Sequence, residues 1–415
     1  MKNFFKTYYT EFLREFSLVK GDMGILIFFL LLPIAYPIVY SLIYNPELVR
    51  EVTVVVVDHD RTPLSRELTR RLDATEGIRS IGYATDLSDA RKAMNSHEVY
   101  GILEIPEGFA RSAGRGEQAE AVFYCEMSLL LRYRAILVSA TNVMQDLGGT
   151  LTTERIDRIA PLAETIATGD LMPISNISMG NIESGFDSFV MPGILILILQ
   201  QSLMLAIGMC GGALREHPLK GGAILGNGSI ISSMLARMSV YLIISIIPAI
   251  YIMHYVPLMF RFPMEGNILQ EFLFILPMIF STIFLAFIFQ AFVRERESVF
   301  VLWVVTSVIF LFLSGLTWPR YAMSSVWKFL SDCVPATWGV QGFIRMNTNG
   351  ASLAQVRPDY INLWILTAVY AVGAYIVQRF IQRPAVRRAA AALQQADSEQ
   401  TEAAPIKPDT SAQHR

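Results

Sequence analysis

The sequence predicts a membrane all-α six-helix bundle with an inserted extracytoplasmic α/β domain. Three observations lead to it. Of 415 residues, 53% are hydrophobic and only 17% charged, against roughly 45–50% and about 25% in a soluble domain. The apolar excess is gathered into blocks of the length that carries a helix across a hydrocarbon core of about 30 Å. One long interior stretch, 45–187, has instead the composition of ordinary polar protein. Together these exclude a simple soluble enzyme and a chain wholly buried in lipid. A net charge of −2 leaves no basic face for nucleic acid. Cys125, Cys210 and Cys333 are too far apart for a metal spacing or a disulfide framework.

Six segments lack Asp, Glu, Lys and Arg: 23–44, 188–214, 238–260, 272–293, 298–319 and 360–378. Lipid offers no partner to backbone amides, so each is read as a helix. The first is too long for a signal-peptide core and no small-residue cleavage site follows it; Pro33 and Pro37 should kink it. Basic residues set the orientation. Lys2, Lys6, Arg14 and Lys20 precede the first span, and Arg379, Arg383, Arg387 and Arg388 follow the last. Arg215, Lys220 and Arg237 lie between spans two and three, and Arg294 and Arg296 between four and five. With six spans all four groups share one side, which places both termini in the cytoplasm.

Along the chain, Phe4/Phe5, Tyr8/Tyr9, Phe12/Leu13 and Phe16 recur at helical spacing between Lys6, Glu11, Arg14 and Glu15. This predicts an amphipathic helix on the inner membrane surface, within residues 1–22. In the insert, the β-branched run 52–60 reads as a buried strand. Pro63 then starts a helix with Leu64, Leu68 and Leu72 on one face. Further strands are predicted at 79–83, 99–106 and 119–126, with a helix at 87–95 capped by Asp86 or Ser88. The pattern becomes helical again from Leu129 to about Ile166, before a junction over 167–187 rich in Gly, Pro, Ser and Asn. Beyond Pro384 a short helical continuation and then disorder are expected.

Candidate chemistry is sparse. There is no GxxxxGK[ST], HExxH, CxxC or GxSxG pattern, and His254, inside an apolar block, has no partner in sight. Gln200, Gln201 and Ser202 lie at the middle of the second span and Gln290 near the inner end of the fourth. Such groups are costly in hydrocarbon and usually face other helices or a polar path. The mixed charges Arg215, Glu216, Arg294, Glu295 and Glu297, in the turns around 213–222 and 293–298, read equally as membrane anchoring or a docking surface. Finally, the stretch from Ser314, Gly315 and Pro319 through Pro335 and Trp338 to Arg345 is aromatic, moderately apolar and broken by proline. Over about 317–346 it predicts a re-entrant or interfacial helical hairpin on the outer side.

This last motif, SG-x-x-WP followed by P-x-T-W and G-x-x-R, resembles the membrane subunit of type-2 ATP-binding-cassette exporters. The insert segments VVVVDHDRTPLSRELTRRLDA (54–74), VYGILEIPEGFAR (99–111) and GEQAEAVFY (116–124) are similar to the branch with a large extracytoplasmic domain after the first span. The resemblance runs to about residue 383. It implies a homodimeric or heterodimeric export pathway in a bacterial inner membrane, past Gln200, Gln201 and Gln290. A separate ATPase subunit would carry ATP and Mg, so that this chain binds no cofactor and is not itself an enzyme. Membrane lipid surrounds it, nucleic acid plays no part, and a periplasmic adaptor could meet the insert. The cargo implied is a lipid, lipid-linked compound or drug. The family's RERE-G-T-x-E box after the second span is matched only by Arg215 and Glu216; the RERE at 294–297 lies in the next cytoplasmic turn. A different class, a non-transporting receptor or scaffold with an outer binding domain, also fits a span-and-domain layout.

Overall fold

The computed structural model describes residues 2–44, 49–159, 180–181, 185–216, 229–293 and 295–402. In chain order, helix α1 (Lys2–Gly21) leads into α2, which begins at Met23–Leu26, passes a π turn at Ile27–Leu31 and continues over Leu32–Tyr44. Then follow β1 (Val52–Asp58), α3 (Pro63–Asp73), β2 (Ile78–Tyr83), α4 (Leu87–Asn95), β3 (Gly101–Ile105), α5 (Phe109–Arg115), β4 (Val122–Cys125) and α6 (Leu130–Ile159). Next come α7 (Phe186–Glu216) and α8 (Ile230–Phe260, with a π turn at Tyr251–Tyr255), then α9 (Ile268–Phe289) and α10 (Ser298–Leu313). The chain closes with α11 (Ser325–Asp332), α12 (Pro335–Asn349), α13 (Arg357–Val377), a π turn at Gln378–Gln382 and α14 (Arg383–Glu402). Contacts divide it into two units: Pro46–Ile177, and Met1–Asn45 together with Ser178–Arg415.

The helical unit is built around α7. Of its most apolar stretch 89% is buried, against 28% for α2, 44% for α8 and 67% for α9. Helices α2, α9, α10 and α12 pack on it, and Gly208 is part of the reason, since a Cβ there would lie 2.8 Å from Val299 Cγ1. Five described helices are long and apolar enough to cross a membrane. The predicted fifth span is shorter than the charge-free run 298–319: α10 has 16 residues, about 24 Å, and stops where Gly315 turns to a φ of +81°. The three π turns have one cause in common. Each is centred four residues before a proline, on Phe29 before Pro33, Met253 before Pro257 and Phe380 before Pro384. A proline ring clashes with the carbonyl four residues back, and a wider turn there relieves the clash. The tail is helical further than expected, as α14 runs to Glu402 through an alanine-rich stretch of high helix propensity. The expected disorder at 403–415 and most of the 167–187 junction lie outside the described residues.

The other unit is a four-stranded sheet of order β2-β1-β3-β4, with β1 parallel to both neighbours and β4 antiparallel to β3. Val52, Val54 and Val56 of β1 face a core shared with Leu68 and Leu72 of α3 and with Ile136, Ala140, Val143 and Leu147 of α6. Val55 and Val57 face Ala90 of α4 on the opposite side. A strand covered on both faces reads as a continuous apolar run, which is why 52–57 was legible. At the carboxyl ends of β1 and β3, where open α/β sheets usually bind ligands, the chain fills its own crevice. The Asp60 carboxylate accepts hydrogen bonds from the amides of Gly108 (2.9 Å) and Ala110 (3.1 Å) at the start of α5, and from the Thr62 hydroxyl (2.6 Å). Burial pushes the Asp60 carboxyl up, but the bonds from Thr62, Ala110 and Gly108 together outweigh it and hold it below the usual range. Glu67, hydrogen-bonded by Arg70 and Arg71, is held down to about 2.

Both carboxyls therefore stabilise this unit fully above the unfolded-state values near 4, and that stabilisation is lost as pH falls through the depressed folded values. The calorimetric transition of this unit in the full-length protein should move to lower temperature between about pH 4 and pH 2. Asp60→Ala should destabilise it at pH 7 by about 2 kcal/mol and flatten that acid dependence. An unchanged slope in the variant would show that Asp60 is not the titrating group.

Candidate functional site

The N-terminal helix carries charge inward. Glu11 and Glu15 of α1 are 2% and 5% exposed, whereas Phe5 and Tyr9 are 65% and 64% exposed. The apolar stripe points outward, as an interfacial helix requires, but the polar face is buried against α8. There Ser232 donates to the Phe4 carbonyl (2.7 Å) and Tyr8 to Ser239 (2.8 Å). Arg237, which the sequence places at the far end of a loop, lies inside α8 and is 1% exposed. Its Nε donates to Glu15 Oε1 (3.0 Å) and its Nη2 to Gln290 Oε1 (3.0 Å). The Tyr241 hydroxyl donates to the same Glu15 oxygen, and the guanidinium sits 4.9 Å from the centroid of Phe287. One arginine thus ties α1, α8 and the end of α9 together. Removing it would leave Glu15 as a buried uncompensated carboxylate, a defect worth about 3–5 kcal/mol.

A second ionic node adjoins the first through Gln290. Arg296, in the turn between α9 and α10, pairs with Asp22, with Glu216 Oε2 at 3.6 Å, and through its backbone amide with Glu216 Oε1 at 2.9 Å. Asp22 also caps α2, accepting from the amides of Gly24 (3.1 Å) and Ile25 (3.3 Å). Arg215 donates to the Ala291 carbonyl. This close seating needs glycine in α7, because a Cβ at Gly211 would lie 2.6 Å from Gln290 Cβ and one at Gly212 would lie 2.9 Å from the Arg296 backbone. Of the predicted docking charges, Arg215 and Glu216 are therefore in this node, and Glu295 is exposed beside it with its carbonyl capping the Ser298 hydroxyl (2.6 Å). Arg294 and the glycine-rich 217–228 lie outside the described residues. Asp22, Glu15, Arg237 and Arg296 were not among the predicted site residues.

The three glutamines do not form one row. Gln290 abuts Gly211, ten residues and so about 15 Å along α7 from Gln201, and it belongs to the arginine node. Gln200 and Gln201 are 0% and 6% exposed, and among the described residues neither amide has a hydrogen-bond partner. Leaving a buried polar group unpaired costs about 1–3 kcal/mol.

The Ser314–Arg345 motif closes the opposite end of α10. Helix ends leave carbonyls without intrahelical donors. Here the Leu313 carbonyl accepts from the hydroxyls of Ser331 (2.7 Å) and Thr337 (3.3 Å), and the Ser314 carbonyl from Gln341 Nε2 (3.1 Å). Pro319 precedes a 3-10 turn at Arg320–Ala322, and Pro335 opens α12 at its first position. Arg320 pairs with Asp332 and lies 4.2 Å over the Trp338 ring, whose Nε1 donates to the Asp332 carbonyl (2.9 Å). Arg345 pairs with Asp359 at the start of α13. Two helices, α11 and α12, occupy most of the stretch 317–346. The side chains that cap α10 are those of Ser331, Thr337 and Gln341, while the predicted residues Trp338 and Arg345 bond the Asp332 carbonyl and Asp359. Among the described residues there is no group of three or more His, Cys, Asp or Glu side chains able to hold a metal.

Residues 23–376 match the family model for ABC-2 family transporter proteins. The match spans most of the chain, which therefore belongs to the ABC-2 permease family, whose members are the membrane subunits of transporters rather than the catalytic ones. It is a multi-pass membrane protein. No curated protein matches the sequence.

Proposed function

We propose that the chain is the membrane half of an exporter, working as a dimer and driven by a separate ATPase subunit that carries ATP and Mg. The observation that carries this reading is the ionic node of Asp22, Glu216 and Arg296. It joins α1–α2, the end of α7 and the α9–α10 turn, three segments that a push from one side would move together. In the proposed topology α2, α7, α8, α9, α10 and α13 are the six spans of a bacterial inner-membrane protein. The node and both termini face the cytoplasm, and the α/β unit faces outward, where an adaptor could meet it. The ATPase docks at the node through Arg215, Glu216 and Glu295, and Arg294 is retained from the sequence as a further coupling residue. ATP binding favours the closed ATPase dimer, and the difference in ATP affinity between two states is the energy that rocks the bundle.

Gln200 and Gln201 line the path in this account. Both are buried in this structure, so transport requires a second state of the cycle in which α7 exposes their amides to cargo or to the second subunit. The cargo is amphipathic, a lipid, lipid-linked compound or drug, in keeping with the apolar residues Ile198, Leu199 and Leu203 that flank the two glutamines.

The test is to purify the chain with the ATPase encoded beside it and measure ATP turnover in lipid. A stable complex with turnover changed by the permease is expected, and Arg296→Ala should weaken that effect about tenfold, or ~1.4 kcal/mol. No complex, with turnover indifferent to the permease, would overturn the proposal and leave a receptor or scaffold as the better reading.

A further inference from the structure

Glu271 is the acidic residue in the first turn of α9, and it is 2% exposed. Among the described residues it has no ion pair, and its one hydrogen bond comes from Asn347 Nδ2 at a long 3.3 Å. Glu11 and Glu15, buried to the same degree, each pair with an arginine, Arg14 and Arg237. A buried carboxylate without a counter-charge is costly. The first turn of α9 offsets part of that cost, but Met346 and Asn347 belong to the last turn of α12, and the carbonyl end of a helix is its negative pole. A negative charge there calls for a cation.

Gly266 shows how closely the oxygens converge. A Cβ there would lie 2.6 Å from the Met346 carbonyl oxygen and closer still to Glu271 Oε1, so the two oxygens share one small space over the glycine. Asn347 is 1% exposed, and its Oδ1 has no hydrogen-bond partner among the described residues. A half-turn of the amide exchanges its nitrogen and oxygen and sets Oδ1 beside the same carboxylate. We propose that Glu271, Asn347 and the Met346 carbonyl hold a monovalent alkali cation where α9 meets α12. One carboxylate balances one positive charge. A calcium ion would leave an excess charge buried and takes about six to eight oxygens. A proton on Glu271 would answer the charge but leave Asn347 Oδ1 without a partner. The exposed Glu265, whose backbone amide donates to the Asn347 carbonyl (2.8 Å), marks the way in. The site does not depend on whether the chain transports anything.

The test uses the full-length protein in detergent, unfolded thermally in sodium, potassium or choline chloride at equal ionic strength. Binding is counted with radiolabelled sodium, or with rubidium as the tracer of potassium. One ion per chain is expected, and sodium or potassium should raise the unfolding temperature by about 2 °C over choline. Whichever does so at the lower concentration is the occupant. Glu271→Gln should bind neither ion and unfold at one temperature in all three salts. Asn347→Asp is the companion variant, because it adds a second carboxylate with little change of shape. It should bind calcium at least tenfold more tightly than the unsubstituted protein does. No bound ion, binding that survives Glu271→Gln, or no gain of calcium affinity in Asn347→Asp would refute the site. An unfolding temperature that ignores both alkali ions and is matched by Glu271→Gln only at low pH would assign the charge to a proton and refute it equally.

Discussion

Arg237→Met is expected to destabilise the helical unit by about 3–5 kcal/mol, because it strands Glu15 as a buried carboxylate. The effect should be larger than that of any exposed arginine, where ion pairs are worth at most about 1 kcal/mol. The double variant Glu15→Leu/Arg237→Met separates structure from coupling. Replacing both members of a buried pair by apolar groups of similar size is often neutral, so the double variant should recover most of the lost stability. It should not recover permease-dependent ATP turnover, since the link from α1 through α8 to Gln290 is then gone. Thermal unfolding in detergent and turnover in lipid read the two effects apart. A double variant as unstable as Arg237→Met would refute the pairing, and full turnover in it would show that the link is only structural.

The second large effect is at Gly342, where α12 crosses α9. A Cβ there would lie 2.1 Å from Cζ of Phe274, which is fully buried. Nothing can yield without moving a whole ring or the helix, so Gly342→Ala should cost about 3 kcal/mol, the upper end of overpacking. Gly339→Ala meets the sulfur of Met278 at 2.5 Å, a flexible side chain that can move aside, and should cost about 1 kcal/mol. Phe274→Leu should restore part of the loss in Gly342→Ala and none in Gly339→Ala. Unfolding temperatures of the four proteins decide it. Equal costs at the two glycines would contradict the packing described.

What could be read in advance follows from how far a signal reaches. The run 52–57 and the helix begun by Pro63 are local patterns, and each appears near its expected place; Pro335, read as a break, stands at the first position of α12. Helix α5 was missed because it has seven residues and starts at Gly108, which offers no side-chain cap; the cap is Asp60, 48 residues away. The boundary of α8 was misjudged because a charge-free rule stops at Arg237. The Ser229 hydroxyl, which accepts from the Ser232 amide, marks the true start eight residues earlier. That Glu15 meets Arg237 is beyond any local pattern, since 222 residues separate them. Burial decided it: a glutamate in the packed face of an otherwise aromatic helix needs a cation, and only the folded bundle supplies one. The hydroxyls of Ser331 and Thr337 were likewise unremarkable in sequence and acquire their role from the end of α10.

The proposed topology puts residues 45–187 outside the cytoplasm and the turn at 293–298 inside it. Single cysteines at the exposed positions Glu117 and Glu295, in a background where Cys125, Cys210 and Cys333 are serine, can be probed with a membrane-impermeant maleimide on spheroplasts and on inverted vesicles. Glu117→Cys should react on spheroplasts and Glu295→Cys only on inverted vesicles. Reaction of both from the same side would contradict the account.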